Sequence, residues 1–418
     1  MIKKIIVVVC VFIATFSWSQ DNTSSPYSYY GLGEYKFKGT NDTRAMGDLN
    51  IVGDSIHLNL LNPASFSRLK YTTFGVGGTT NFNELSTSSA TEKAQRTSLD
   101  YIAVGLPLGK IGVFFGLTPF TSTGYRLQNV YTDSNNLTRS RLFSGAGTVN
   151  KVFLGGSYNI NSNLSVGLDF NYVFGNADTK AIEFVVDPLV SIGTRENNTT
   201  STKGAFFTAG LLYNKMLKNK LELFSSFTYR PEAQLTVSRT RNTATILLST
   251  TNGEGVLDSQ NFILNDIQQI LPTKVNFGGG IGQKKKWLVG TEVTFTQNSK
   301  LKNRFEDIQS SSFENATKIS VGGYYIPKYD SFSNYLSRIV YRAGFRYENT
   351  GLILNNQSIN DYGMNFGLGL PVGVSNINLA FELGKRGTTS NGLIEENYFN
   401  VSVGLSFNDI WFKKRKID

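Results

Sequence analysis

Around Phe345 every second residue is apolar: Ile339, Tyr341, Ala343, Phe345 and Tyr347 alternate with Arg338, Val340, Arg342, Gly344, Arg346 and Glu348. A period of two is the grammar of a β-strand with one greasy and one polar face. The pattern recurs. Leu164, Val166, Leu168, Phe170, Tyr172 and Phe174 oppose Ser165, Gly167, Asp169 and Asn171; Leu221, Leu223, Phe227 and Tyr229 oppose Glu222, Ser226, Thr228 and Arg230; Trp287, Val289, Val293 and Phe295 oppose Gly290, Glu292, Thr294 and Thr296. Soluble sandwiches alternate too, but their strands average only ~5 to 6 residues. These segments run to about 10 to 12, the length a tilted strand needs to cross a bilayer. Tyr158, Tyr172, Tyr229 and Trp287 stand near segment ends, as in the aromatic girdles of outer-membrane barrels.

Such segments fall at 71–82, 98–106, 110–117, 148–159, 163–175, 204–215, 219–230, 273–283, 286–297, 316–326, 338–349, 362–372, 376–386 and 398–408. An even number of strands is the rule for bacterial single-chain barrels, and fourteen predicts an all-β, 14-stranded antiparallel transmembrane barrel. Tight turns at 107–109, 161–162, 216–218, 284–285 and 374–375 interleave with longer connections. Short turns belong in the periplasm and long loops outside, which puts 83–97, 231–272 and 298–315 on the cell surface. One connection on the short-turn side is an exception: 327–337 is longer and rich in Tyr and Phe. The last strand is followed by Trp411, Phe412 and the basic run Lys413 to Lys416. With Lys284 to Lys286, that run reads either as a solubilising charge cluster or as a contact to anionic headgroups.

The first 19 residues read as a secretory leader: Lys3 and Lys4, an apolar stretch from Ile5 to Phe16, then Ser17-Trp18-Ser19. Cys10, the chain's one cysteine, lies inside the apolar stretch, so the exported chain is expected to carry neither disulfide nor lipid anchor. Beyond the leader no window reaches the ~18 consecutive apolar residues of a membrane helix. No linker or composition break divides the remainder. The division expected is a leader at 1–19, an N-terminal hatch at 20–70, the barrel at 71–408 and a basic periplasmic tail at 409–418, in the outer membrane of a Gram-negative cell.

Residues 20–70 lack the strand pattern. Asn62 suits a helix cap and Pro63 a first helical position, so 62–69 reads as one short turn ahead of the first strand. Fourteen strands enclose more space than wall side chains fill, and this segment is expected to occupy it. "RAMGD" with Ala45, Met46 and Gly47, then "NPAS" with Asn62, Pro63 and Ala64, followed by fourteen strands, resembles the FadL family of outer-membrane transporters for hydrophobic compounds. "SPYSYYGLGE", "GLTPFTSTGY", "GLGLPVG" and "NDIWFKKRK" resemble its Bacteroidota branch, some members of which are subunits of the type 9 secretion translocon, including a plug of its pore. The resemblance implies a hatch in the lumen and a hydrophobic ligand leaving sideways through a gap in the wall. Gly112, Gly116 and Pro119 are the expected kink, because proline donates no ladder bond and glycine permits a bend; an ordinary strand exit at Pro119 is the alternative.

Catalytic sets are missing. His57 is the one histidine, which leaves no His-rich metal site and points to an ordinary hatch residue. "GGGIG" at Gly278 to Gly282 lacks the following helix of a nucleotide loop. Arg338, Arg342 and Arg346, with Glu222, Glu292, Glu348 and Glu382, fall on inward faces and are expected to form a mixed-sign network that holds hatch to wall; a site for a ligand carboxylate is the alternative. The function these observations favour is a FadL-like plug or accessory subunit of a type 9 translocon, bound to outer-membrane lipid and a larger barrel subunit. The second reading is a passive transporter of fatty-acid-like or aromatic molecules. Neither an enzyme, a cofactor nor a nucleic-acid partner is expected.

Overall fold

The computed structural model describes residues 22–187, 191–249, 253–305 and 311–411. The expected leader at 1–19 and residues 412–418 of the basic tail lie outside them. Fourteen antiparallel strands close into a barrel. They are β1 Thr72–Ser86, β2 Thr91–Leu108, β3 Ile111–Thr132, β4 Thr138–Asn159, β5 Leu164–Val185 and β6 Ile192–Met216. Next come β7 (Leu221–Arg230 continuing as Ala233–Ser249), β8 (Gly253–Leu271 continuing as Lys274–Gln283), β9 Trp287–Thr296 and β10 Ala316–Tyr325. The wall ends with β11 Val340–Leu354, β12 Gln357–Val372, β13 Ser375–Arg386 and β14 Glu395–Asp409. Closure is a full ladder from Thr72 opposite Asp409 to Ser86 opposite Glu395. On its outside Phe74 stacks with Phe407 and Phe82 with Phe399.

Outward faces are apolar. Phe345, Val289, Leu168, Phe207, Met364 and Val403 are all exposed, whereas Arg346, Asn365, Asn171 and Ser402 on the opposite face are buried. No helix among the described residues is long and apolar enough to cross a membrane.

Two proline breaks correct the expected outer loop at 231–272. Pro231 and Pro272 interrupt β7 and β8 at one level, since Arg230 pairs with Lys274 below them and Ala233 with Leu271 above. Proline cannot donate to a ladder, so the sheet parts there and resumes. Above the break, 17 residues of β7 and 19 of β8 form a long hairpin. Strands β3 to β6 also run to between 22 and 25 residues. A 22-residue strand tilted ~40° rises roughly 55 Å at ~3.3 Å per residue, about twice a ~25 Å apolar band. β9 and β10 have 10 residues each. One side of the barrel therefore stands as a tall six-stranded sheet, and the other side is low. Several connections at the tall end are tight, 297–315 being the long one, and Asn355 and Asn356 (φ 48° and 61°) turn β11 into β12 in the left-handed conformation that asparagine tolerates best.

Residues 22–70 lie within the wall. They contain 3-10 turns at Pro26–Tyr29 and Pro63–Arg68, a two-residue strand Glu34–Tyr35 and a one-turn helix Asn41–Arg44. The second turn is capped as its sequence requires, with Ala64 N donating to Asn62 Oδ1 at 3.0 Å. Near the tall end Tyr27 packs with Leu352, Leu354, Ile359 and Leu393. Near the short-turn end Phe66, Leu58 and Leu69 pack with Ala103, Phe114 and Phe153.

Candidate functional site

The segment rests directly on strand backbone. Inward glycines make this possible, because a Cβ at Gly344 or Gly322 would overlap the Met46 carbonyl and one at Gly167 the Pro63 carbonyl. Ala45 sits against Gly367, Asn62 against Gly210, and Ile51 against Gly278, Gly280 and Gly290. Gly278 and Gly280 of "GGGIG" thus receive Ile51 of the N-terminal segment. Gly47 takes a φ of +74° beside the Phe345 backbone. Asn62 Nδ2 also donates to Leu211 O at 3.1 Å.

Charge ties the same parts together. Arg346, wholly buried, donates through Nη2 to Glu382 Oε1 at 2.7 Å and through Nη1 to Asp361 Oδ2 at 3.2 Å. Glu348 lies 3.5 Å and Asp48 3.9 Å from the same guanidinium. Lys318 reaches Asp48 at 2.6 Å, and Arg386 reaches Glu34 at 2.9 Å and Asp361 at 3.4 Å. Lys38, from the segment, stands 3.9 Å from Asp361 and 4.0 Å from Glu382. Arg44 pairs with Asp100 at 3.1 Å.

Of the seven wall charges singled out in the sequence, Arg346, Glu348 and Glu382 share this network. Glu292 is close by but separate, accepting from Asn50 N at 2.8 Å and Asn276 Nδ2 at 2.5 Å. Arg342 donates to Asn378 Oδ1 at 3.0 Å. Glu222 sits at the short-turn end of β7. Arg338 is displaced altogether: it belongs to the 3-10 turn Leu336–Arg338 before β11 and stacks over Tyr335 at 5.2 Å. The alternation was extended through it in sequence, but the chain is not yet a strand there. Lys38, Asp48, Asp361 and Arg386 were missed, since pairing between segment and wall is invisible in one strand's pattern.

The wall is interrupted between β2 and β3. Their ladder runs from Leu108 opposite Ile111 only to Ile102 opposite Leu117. Beyond that level β2 pairs with β1 alone, and β3 carries a bulge between Pro119 and Thr121. Gly112 and Gly116 are still laddered, opposite Pro107 and Ala103; of the expected kink residues Pro119 alone stands at the break. The free edge of β3 meets the N-terminal segment: Glu34 and Tyr35 pair with Ser122 and Thr121, and Lys36 N donates to Phe120 O at 3.2 Å. Ser28 Oγ accepts from Gly124 N at 3.0 Å.

Behind this break lies a lumen cavity of about 340 Å³. Leu32, Phe37, Phe120 and Phe206 give it an apolar side; Lys151, Arg230, Lys274 and Asp169 line another part, and its floor reaches Asp48, Asp361 and Arg386 of the charge network. Arg230 and Lys151 lie 5.5 and 5.9 Å from the Phe206 ring centre. His57 is elsewhere, near the short-turn end, with Nδ1 2.5 Å from Asp54 Oδ2. Burial disfavours the imidazolium, but the charge and hydrogen bond of Asp54 outweigh it and His57 titrates above its ordinary value. The same contact outweighs burial for Asp54 and holds its carboxyl below the ordinary value. Among the described residues no group of His, Cys, Asp and Glu is placed to hold a metal ion.

The sequence profile of the BamG family matches residues 1–418, the whole chain. The chain belongs to the BamG family. No curated protein matches it. Solved structures similar to this BamG-family chain include the CymD monoaromatic hydrocarbon channel, at 13% identity and a TM-score of 0.60, covering 91% of this chain and 100% of that one. The Pseudomonas putida toluene transporter TodX aligns at 14% identity and a TM-score of 0.60, covering 93% and 99% of the two chains. A Pseudomonas aeruginosa FadL homologue aligns at 11% identity and a TM-score of 0.57, over 89% and 98%. At these identities the likeness is one of fold: this BamG-family barrel has the fold of the FadL-type channels.

Proposed function

We propose that the protein is an outer-membrane barrel that lets hydrophobic small molecules pass from the outside into the membrane plane by way of the break between β2 and β3. The observation that carries this reading is that the ladder stops at Ile102 and Leu117 beside a cavity with an apolar side. A molecule held against Phe120 and Phe206 has a route sideways that avoids the charged lumen below. The tall end faces outward and the short turns face the periplasm, as in barrels of this kind. Residues 22–70 act as the hatch: they fill the lumen and, through Glu34 and Tyr35, occupy part of the break. The similar solved structures include channels for toluene and monoaromatic hydrocarbons, which supports an aromatic or fatty-acid-like cargo.

A second reading, a plug or accessory subunit of a larger assembly such as the type 9 translocon, is favoured by the glycine cradle and the buried ion pairs. A hatch seated on backbone and locked by charge suits a barrel that stays shut. Uptake of toluene and oleate by a deletion strain separates the two. Transport predicts slowed uptake of one of them, restored by the wild type but not by Phe120→Asp or Phe206→Asp proteins that still fold. Normal uptake, with capture of a far larger barrel from mild detergent, sinks the transport reading.

A further inference from the structure

The 326–339 connection, between β10 and β11, is the long one at the end where the other turns are short, and neither reading above employs it. Phe332 is exposed over its whole surface at 102%, and Tyr329 and Leu336 expose 48% and 63%. The same two pieces carry four exposed lysines, Lys284, Lys285 and Lys286 in the β8–β9 turn and Lys328 in the connection itself, and one acid, Asp330. The two pieces are joined, since Ile326 N donates to Lys286 O at 2.7 Å and Lys285 Nζ stands 4.1 Å over the Tyr329 ring.

Placement decides what such a surface meets. Trp287, Tyr325 and Tyr341 are cross-strand neighbours on the outward face, a girdle at the edge of the apolar band. The connection folds back onto that outer rim instead of across the lumen mouth: Tyr341 Oη donates to Leu336 O at 3.2 Å and Tyr335 Oη to Pro371 O at 3.3 Å. Aromatic and aliphatic side chains just past a girdle, ringed by lysine, sit at the depth where phospholipid phosphates lie over acyl chains.

We propose that residues 326–339 and the 284–286 turn form an interfacial anchor that binds anionic phospholipid, with Phe332 and Leu336 among the acyl chains and the lysines on the headgroup phosphates. This rests on the membrane orientation proposed above, in which that rim meets the periplasmic leaflet. The lysines supply the selectivity, because a zwitterionic headgroup offers them no net charge to neutralise. The apolar residues supply the depth, because a fully exposed phenylalanine gains by leaving water.

The test uses the full chain with Cys10→Ser, spin-labelled at Phe332→Cys and, as a control inside the apolar band, at Val289→Cys. In vesicles of dioleoyl phosphatidylcholine with or without 30% dioleoyl phosphatidylglycerol, the label at 332 should meet oxygen more readily than a water-soluble nickel complex, and more so with the anionic lipid. Replacing Lys284, Lys285, Lys286 and Lys328 together by Gln should cut the preference for phosphatidylglycerol over phosphatidylcholine, read by native mass spectrometry, about tenfold, with heat-modifiable folding unchanged. A label at 332 that stays in water while 289 is buried overturns the anchor alone, including the case in which the loop instead captures a soluble protein. A label at 289 that is also in water overturns the membrane reading and the anchor together. An unchanged lipid preference in the quadruple variant overturns the role of the lysines and with it the proposal.

Discussion

Arg346 concentrates the logic of the lumen in one side chain. Asp48 of the N-terminal segment and Glu348, Asp361 and Glu382 of the wall converge on a guanidinium with no exposed surface. Removing one partner from such a buried cluster strands the others, at a cost of ~3 to 5 kcal/mol. Arg346→Met should therefore lower the temperature at which the folded band disappears on unboiled gels, and Arg346→Lys should lower it less. Equal stability of wild type and Arg346→Met would show that water in the lumen already solvates these carboxylates. His57 and Asp54 give a dependence on pH. A lowered Asp54 stabilises the fold above the ordinary carboxylate value of ~3.9 and loses that contribution as pH falls through its folded value. A raised His57 stabilises below the ordinary ~6.5 and loses it as pH rises through its folded value. Resistance of the short-turn end to protease should be greatest between about pH 4 and pH 6.5 and fall on either side of that range, whereas His57→Gln should show no such maximum. A wild-type profile as flat as the variant's would remove the pair from the account.

Strands were legible in the sequence where lipid and lumen oppose each other, and illegible where water lies on both sides. β5 shows the boundary. Apolar residues alternate outward as far as Phe174, and the strand then continues from Gly175 through Asn176, Asp178 and Lys180 with no greasy face to mark it, before Ile182 and Phe184 join a small buried cluster with Ala244 and Ile246. The same holds for Ile192 to Lys203 of β6, paired residue for residue with β5 and with β7. Period-two reading therefore measured the thickness of the membrane and took the rest for loop. The N-terminal segment was legible as something other than wall strand, and its "RAMGD" and "NPAS" stretches do lie on wall glycines. Its ion pairs to the wall were not, because each joins residues far apart in sequence. Labelling tests the extended sheet. Thr199 and Phe207 share the outward face of β6, so Thr199→Cys should react on whole cells with a membrane-impermeant maleimide and Phe207→Cys should not. Reaction at Lys285→Cys before permeabilisation, with none at Thr199→Cys, would reverse the orientation.

For the whole molecule the wall and its filling are separable in energy if not in space. Every strand has its neighbours without help from residues 41–69, apart from the break beside β3. A protein lacking Asn41 to Leu69 should still close and show heat-modifiable mobility, with single-channel conductance in planar bilayers well above that of the wild type. Unchanged conductance would mean that something besides the hatch blocks the lumen. The ladder between β1 and β14 carries a further consequence, for the order of assembly. The strand that completes the barrel is the last one made, and it must join the first. The N-terminal segment precedes that first strand and touches β7, β9, β11 and β13 from inside. It is therefore gathered while the sheet is still an open trough, and the meeting of Thr72–Ser86 with Glu395–Asp409 is a lid lowered onto a box already packed.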